Sequence, residues 1–212
     1  MTLRLQTNPR KIASQKRSRL TVDALIEATA LVLRKEGYDR TSTNKIAAVA
    51  GVSIGSLYQY FPSKEALVTA VIERHTQALS QIVGSALLKV AEHPIAIGVR
   101  ELVVAAIEAH RIDPDLHRIL AEEVPPTGRH ENIDTFVRNA QTLIRSYLEV
   151  HRHEIGIRNL DLAAFLMVNT VEALTHSAVL NRPELLTGEM AAEFVDEVTQ
   201  IVLRYLQSAP PQ

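Results

Sequence analysis

The chain has 212 residues, of which 46% are apolar, and it contains no cysteine and no tryptophan. This length suits one or two domains, and the apolar fraction is sufficient for a buried core. The lack of cysteine excludes disulfides, thiolate metal sites and cysteine nucleophiles. Because the N-terminus lacks the apolar run of a signal peptide and no window approaches the length of a membrane span, we expect a cytoplasmic protein without a membrane partner.

The formal net charge of −1 hides a strong asymmetry along the chain. Residues 1–64 contain eleven Lys and Arg against four Asp and Glu, a net charge of +7, and the remainder contains twelve against twenty, a net charge of −8. A basic head on an acidic body suits a polyanionic partner at one end only. Residues 1–17 are expected to form a flexible basic arm, which is compatible both with a solvated tail and with a segment that becomes ordered on DNA.

Hydrophobic periodicity favours helices along the whole chain, and we predict an all-α fold of about nine helices without a convincing strand. A first helix at about 21–36 ends at Gly37, after which Tyr38 can fold back onto the same core. Ser63 can cap a long fourth helix that reaches about Leu88. The segment 124–128 is predicted to be a loop because of its Pro-Pro-Thr-Gly run. Further helices are expected at about 95–110, 114–123, 132–151, 160–180 and 188–206.

Two short helices at about 42–50 and 53–61 are predicted to form a helix-turn-helix. Gly51 tolerates a positive φ and lets the chain reverse, and Val52 can fill the corner. Ser53 can accept a hydrogen bond from the first turn of the second helix. Leu57 and Phe61 share the inward face at i, i+4 spacing, which leaves mainly small polar and aromatic side chains outside.

The motif residues resemble the DNA-binding domain of the TetR/AcrR family of transcriptional regulators over residues 18–67. The resemblance is carried by Gly37-Tyr38, Thr41-Ser42-Thr43, Ile46-Ala47, Ala50-Gly51-Val52-Ser53, Gly55-Ser56-Leu57-Tyr58, Tyr60-Phe61 and Ser63-Lys64-Glu65-Ala66-Leu67. It implies a helix-turn-helix DNA-binding domain at 18–64 and a helical ligand-binding and dimerisation domain at 65–208. The implied partners are a double-stranded DNA operator, a second copy of the chain in a homodimer and an unknown small-molecule effector.

The residues expected to contact DNA lie in and beside the two motif helices. They are Thr43, Asn44, Lys45, Ser53, Ile54, Gly55, Ser56, Tyr58, Gln59, Tyr60 and Lys64. Gln59 is the best candidate for base specificity because its amide can pair with adenine through two hydrogen bonds, and Ile54 can meet a thymine methyl group. The family resemblance implies phosphate contacts for Thr43 and Lys64.

Several of these assignments have structural alternatives: Gly55 could simply weaken the start of its helix, Tyr58 could be a core tyrosine and Lys64 a surface lysine. Thr43 could cap its helix and do nothing else, and Lys45 could be a solvated surface charge. Tyr60 lies about 200° around the helix from Tyr58, and it either contacts the DNA backbone or packs in the core.

The second half of the chain offers candidates for an effector pocket and a dimer interface. The family resemblance implies a pocket among the middle helices, for which the candidate lining residues are Leu79, Ile107, His110, Leu120, Phe136, Leu143 and Tyr147. The last two long helices carry apolar residues on more than one face, which predicts a four-helix interface between two copies. The candidates for it are Phe165, Leu166, Val171, Leu174, Phe194, Val198, Ile201 and Val202.

No catalytic, metal or cofactor site is predicted. The acidic pairs Glu122-Glu123 and Asp196-Glu197 diverge on a helix, and the eight histidines form no metal-binding motif. We therefore expect a transcriptional regulator that is not an enzyme, with repression by a ligand-released dimer on a palindromic operator as its mode. Activation, a DNA-binding protein without an effector, and an enzyme or carrier with a vestigial head remain alternatives.

Overall fold

The computed structural model describes residues 16–208; the side chains at 16–17 and 126–133 lie outside that description, as do residues 1–15 of the predicted arm. Within residues 16–208 the chain forms nine α-helices and no strand, which confirms the all-α prediction. The helices are α1 (Lys16–Arg40), α2 (Thr43–Ala50), α3 (Ile54–Tyr60), α4 (Lys64–Val90), α5 (Ile95–Arg111), α6 (Pro114–Glu122), α7 (Pro126–Val150), α8 (Leu160–Asn181) and α9 (Gly188–Gln207). Two short 3-10 helices, Arg152–Glu154 and Pro183–Leu186, precede α8 and α9.

Two helix boundaries differ clearly from the predicted ones. The helix α7 begins at Pro126, so the loop predicted at 124–128 is confirmed at 124–125 and wrong at 126–128. Proline is tolerated at the first position of a helix, where no N–H is needed and its fixed φ is already helical. The helix α1 begins at Lys16, earlier than predicted, and its run continues to Arg40 with a break at Gly37, whose φ is 76° and ψ 173°.

The described part of the chain divides into two compact units, of which the first contains residues 16–76 and 115–133. One core cluster in this unit holds the helix-turn-helix and includes Leu25, Ile46, Leu57 and Phe61. A second cluster joins α1, the start of α4 and α6. The unit therefore includes α6 and the first part of α4, whereas the DNA-binding domain predicted from the sequence ends at residue 64.

The second unit contains Gln77–Pro114 and Asp134–Gln212. Its core is built mainly from α5, α7, α8 and α9, with Val99, Leu148 and Leu206 completely buried. An exposed ion pair joins α5 to α9, with 3.2 Å between Arg100 Nε and Asp196 Oδ1. Helical residues of four elements thus converge on one apolar centre.

The helix α8 is apolar on more than one side. By length and composition alone its 22 residues are sufficient to cross a membrane, so the expectation that no window approaches this length is wrong. Core helices of soluble proteins pass the same test. The inward side of α8 includes the buried Ala163, Ala164 and Met167, which belong to the core of the second unit.

Candidate nucleic-acid interface

The corner between α2 and α3 is a tight reversal built by Gly51. Gly51 has the left-handed conformation, with φ 67° and ψ 29°, and its N–H bonds to the carbonyls of the last turn of α2. Because this region of φ is costly for residues with a Cβ, glycine is favoured here. The N–H of Val52 then donates to the Ala47 carbonyl at 3.0 Å, and the Val52 side chain packs on the core cluster. The predicted roles of Gly51 and Val52 are confirmed.

The outward face of α3 has the composition predicted for a base-reading surface. Ser53 caps the helix, since its hydroxyl accepts the Ser56 N–H at 3.1 Å. Leu57 is completely buried and fixes the inward face. Ile54 and Tyr58 are 39% and 42% exposed, and Ser53, Gly55 and Gln59 are exposed as well. Ser56 is half-buried and is therefore less accessible than the other outward residues of α3.

The hydroxyl groups of Thr43 and Tyr58 lie together on this face. Their oxygens are 3.1 Å apart, which joins the first residue of α2 to the middle of α3. The possibility that Thr43 caps α2 is wrong, because the cap is Ser42, whose hydroxyl accepts the Lys45 N–H. The freed Thr43 hydroxyl can orient the Tyr58 hydroxyl, and both oxygens remain near solvent.

Tyr60 belongs to the interior of this unit. It is 8% exposed, and its hydroxyl lies 2.8 Å from the Ser18 hydroxyl of α1. The ring packs in the same core cluster as Leu57 and Phe61. Of the two roles considered for Tyr60, the structure shows the packing one.

Lys45 is exposed but already paired. Its ammonium group forms an ion pair with Glu36 and donates to the Arg40 carbonyl at 2.9 Å. The hydrogen bond from Lys45 holds the pKa of Glu36 below its ordinary value. Asn44, beside it, is exposed and faces outward from the start of α2. The carboxylate of Glu36 reduces the positive charge that Lys45 offers to a phosphate.

Lys64 lies at the start of α4, against the residue that follows the α1 break. Its ammonium donates to the Tyr38 carbonyl at 3.1 Å and stands 4.0 Å from the centre of the Tyr38 ring. Burial raises the pKa of the Tyr38 hydroxyl, and the ring packs on the core, as predicted. A lysine ammonium has three donors, so this contact leaves Lys64 with capacity for a phosphate oxygen.

Two family models match the chain. Residues 25–71 match the model of bacterial regulatory proteins of the tetR family, and residues 94–206 match the tetracyclin repressor-like C-terminal domain. The chain belongs to the TetR family. TetR-family membership confirms the resemblance found in the sequence, and it identifies a DNA-binding transcription regulator rather than an enzyme.

Proteins that are similar to this chain have names that describe different functions. The nucleoid occlusion factor SlmA of Haemophilus ducreyi is 33% identical over 120 residues, which are 57% of this chain and 56% of SlmA. This chain therefore spans only about half the length of that relative. The transcriptional repressor NicS of Pseudomonas putida is 28% identical over 149 residues, 68% of this chain and 69% of NicS. A solved TetR-family regulator from Mesorhizobium loti has the same fold, with a TM-score of 0.69 at 22% identity over 91% of this chain and 98% of that one.

The structure separates the residues predicted to line an effector pocket. Leu79, Ile107, His110 and Tyr147 are buried in the second unit, whereas Leu120 belongs to a core cluster of the first. Leu143 is exposed and Phe136 is half-buried. An open cleft in the second unit includes Ile107 alone among these candidates, and its other lining residues are Val104, Glu108, Arg111, Leu186, Ala191 and Val195.

His110, one of the predicted pocket residues, is a buried histidine on α5. The ring nitrogen Nδ1 lies 2.8 Å from the Ala106 carbonyl, one helical turn back on α5, and therefore donates to it. The His176 ring stands edge-on with its centre 6.0 Å from that of His110. Burial lowers the pKa of His110, which favours the neutral ring.

The predicted interface residues of α8 and α9 divide between core and surface. Val171, Val198 and Val202 are buried within the protomer, so their side chains are not open to a partner. Phe165, Leu166 and Ile201 are exposed, and Leu174 and Phe194 are half-buried. The valines are buried because one side of each helix packs in the core of the protomer, whereas the other side remains at the surface. The predicted dimer interface is therefore limited to Phe165, Leu166, Ile201, Leu174 and Phe194.

Proposed function

We propose that this TetR-family chain is a repressor that acts as a cytoplasmic homodimer on a palindromic DNA operator. The observation that carries the proposal is the exposed face of α3, with Gly55, Tyr58 and Gln59 outside and Leu57 fixed in the core. A helix of this kind reads base edges from the major groove through a few outward side chains. Two copies would place their α3 helices about 34–36 Å apart, one helical turn of DNA.

Each outward residue has a role that its chemistry supports. Gln59 would read an adenine through its amide, and Ile54 would contact a thymine methyl group. Gly55 has only Ser53 Oγ near the position of an added Cβ, at 4.0 Å, which leaves its backbone open to a sugar or phosphate. Tyr58, oriented by Thr43, would donate to a phosphate, and Ser53, Ser56, Asn44 and Lys64 would supply further polar contacts.

The backbone contacts can be tested through the Tyr58 hydroxyl. Binding to duplexes selected from random-sequence DNA by the wild-type protein would be measured across a series of salt concentrations. Tyr58→Phe keeps the ring and removes one phosphate donor, so we expect affinity to fall by about five-fold on all selected sequences, as loss of one hydrogen bond of about 1 kcal/mol implies. Tyr205→Phe on α9 is the matched control and should bind as the wild type.

The base contact can be tested through the Gln59 amide. Gln59→Ala should lose discrimination at one base pair by about ten-fold while keeping the salt dependence of binding. Gln81→Ala, an exposed glutamine of α4, is the control. A wild-type protein without salt-sensitive DNA binding would overturn the proposed function, and an unchanged base preference in Gln59→Ala would remove Gln59 from the reading surface.

Release by a small-molecule effector completes the proposed mechanism. A ligand that binds one conformation of the dimer better than the other shifts the population by its differential affinity. The likeness to the transcriptional repressor NicS supports repression as the outcome of DNA binding. Loss of operator binding on addition of a low-molecular-mass extract of the native cell, reversed by dialysis, is the expected result.

A second candidate is a DNA-binding protein without a small-molecule effector, and the likeness to the nucleoid occlusion factor SlmA favours a role at the nucleoid for it. This candidate predicts binding sites scattered across the chromosome and binding that no extract fraction reverses. Capture of bound fragments from cells distinguishes the two, because a repressor is expected at a few promoters.

A further inference from the structure

The backbone at the end of α1 presents an N–H to the end of α6. At Gly37 the chain leaves helical geometry, with φ 76° and ψ 173°, and the Tyr38 N–H no longer points along the helix axis. It donates instead to Glu123 Oε2 at 2.8 Å, across 85 positions of sequence. Both residues belong to the first unit. Glu123 therefore replaces the acceptor that the helix break removes.

Gly37 leaves room for this carboxylate. A Cβ on Gly37 would lie 2.7 Å from Glu123 Oε2, closer than real Cβ contacts come. Together with the positive φ, this close approach gives two separate reasons for glycine at position 37. The corner is thus shaped around the Glu123 side chain.

Tyr38 is held on its other side by Lys64. The ammonium donates to the Tyr38 carbonyl at 3.1 Å, while Glu123 accepts the Tyr38 N–H. The ring between them is buried against the core cluster of Leu33, Val68 and Leu120. The peptide groups on both sides of Tyr38 are consequently fixed by two side chains, one from α4 and one from the residue that follows α6.

This corner leads directly into the helix-turn-helix. The Thr41 N–H donates to the Tyr38 carbonyl at 3.2 Å, and the Thr41 hydroxyl donates to the Gly37 carbonyl at 2.7 Å. Ser42 then caps α2, and Thr43 follows with its hydroxyl on Tyr58. Thr43, the first DNA-facing residue, therefore lies close in sequence to Tyr38 and is connected to its backbone through these hydrogen bonds.

The end of α6 provides a firm base for Glu123. Leu116, Ile119 and Leu120 are buried against α1 and α4, and the Glu123 N–H bonds to the Ile119 carbonyl at 3.0 Å. The side chain itself is largely exposed, so it contributes little to the core. Its defined contact is with the corner.

We propose that Glu123 is a positioning residue for DNA binding, which acts by fixing the Tyr38 backbone and, through it, the start of α2. Glu123 does not touch DNA in this arrangement; it holds Thr43 and Tyr58 where they can. The inference rests on the proposed function, since DNA binding through α2 and α3 is the property it serves.

The test compares three variants of the full chain on one duplex, selected by the wild-type protein from random-sequence DNA. Glu123→Ala removes the acceptor and should weaken binding by about ten-fold, the effect of about 1.4 kcal/mol. Glu123→Gln keeps an acceptor oxygen at the same distance along the side chain and should restore most of the affinity. Glu122→Ala, the exposed neighbour, should bind as the wild type.

Two further readouts separate positioning from a general loss of fold or a lost phosphate contact. The slope of affinity against salt concentration should be the same in Glu123→Ala and the wild type, because no phosphate contact is removed. Amide hydrogen exchange at Tyr38 should be faster in Glu123→Ala, while exchange at Leu57, in the core of the same unit, should not change.

The outcomes distinguish this inference from the proposed function. If the wild type binds and Glu123→Ala binds equally well, the inference is wrong and the proposed function stands. If Glu123→Gln is as weak as Glu123→Ala, the hydrogen bond is not the cause and the inference is also wrong. If the wild type shows no salt-sensitive binding, the proposed function fails and the inference falls with it.

Discussion

Gly98 lies on α5 at the point where the Tyr147 hydroxyl from α7 meets the helix backbone. A Cβ on Gly98 would be 1.7 Å from that oxygen and 2.7 Å from Cζ. Burial raises the pKa of Tyr147 to about 12, and its hydroxyl has no hydrogen-bond partner among the described residues. The contact is therefore one of packing, and it leaves no space for a larger residue at position 98.

We expect Gly98→Ala to lower the free energy of unfolding by about 1–3 kcal/mol, the cost of overpacking a filled core. Gly84→Ala is the matched control, because Gly84 is also helical and has nothing within 4 Å of an added Cβ. There the higher helix propensity of alanine should raise stability by about 0.5–1 kcal/mol. Denaturant unfolding of the two variants measures both effects, and a stabilised Gly98→Ala would contradict the packing argument.

At this scale, residues whose partners are local could be predicted from the sequence. The left-handed Gly51 and the Ser53 cap each depend on a few neighbours, and both are confirmed. Thr43 was harder, because Ser42 and Thr43 are both good caps and the tertiary contact with Tyr58 decides between them. Nothing near Glu123 in the sequence indicates a bond to Tyr38, since the two meet only after α1 and α6 have packed.

At the scale of elements, α8 and α9 have two apolar sides. One side of each helix closes the core of the second unit, and the other leaves large apolar side chains in solvent, with Phe165 49% and Ile201 50% exposed. Where exposed apolar side chains of this size form a patch, the patch usually marks a protein interface. The proposed twofold contact between copies would cover it, and it would also account for the unusual apolarity of α8.

Phe165→Glu should therefore dissociate the proposed homodimer. In a twofold contact the substitution buries a charge from each copy, which we expect to weaken association by roughly a hundred-fold, about 3 kcal/mol. Analytical ultracentrifugation over a range of concentrations measures the change. Leu88→Glu is the control, because Leu88 is 82% exposed on α4 and lies outside the predicted interface. A monomeric wild type, or equal dissociation in both variants, would contradict the interface.

Helix positions followed from the 3.6-residue periodicity, whereas helix ends depended on details that periodicity does not contain. The start of α7 at Pro126 is the clearest case. A Pro-Pro-Thr-Gly run is typical of a loop, yet proline at the first helical position is permitted, and the sequence alone does not choose between the two. The burial of the α8 and α9 valines in the core of the protomer could not be predicted from the sequence either, because both sides of those helices are apolar.

At the scale of the whole molecule, the excess positive charge lies in the same part of the chain as the helix-turn-helix. The net charge of +7 lies in residues 1–64, which include the helix-turn-helix, and the remaining −8 lies beyond it. A polyanion is attracted to one part of such a molecule and repelled by the other, which favours encounters that lead with α3. This asymmetry could be read from the sequence in full, since it requires no knowledge of contacts.

The pH dependence of stability is also a property of the molecule as a whole. His110 is expected to make the folded protein less stable as the pH falls. Burial lowers the folded-state pKa of His110 below the ordinary value of 6.5, although Glu172 acts in the opposite sense. Below pH 6.5 the unfolded chain therefore binds a proton that the folded chain does not. The stabilisation is fully present above the unfolded pKa and is lost as pH falls through it towards the folded pKa.

We expect the melting temperature of the wild type to fall from pH 7 to pH 5 more steeply than that of His110→Leu, which lacks this proton. Titrating groups that do not interact with His110 contribute equally to both proteins, so the difference between the two slopes isolates His110 together with its neighbours Glu172 and His176. Equal slopes for the wild type and His110→Leu would mean that the ring is protonated in the folded protein, and the loss of stability in acid would then have to arise from other groups.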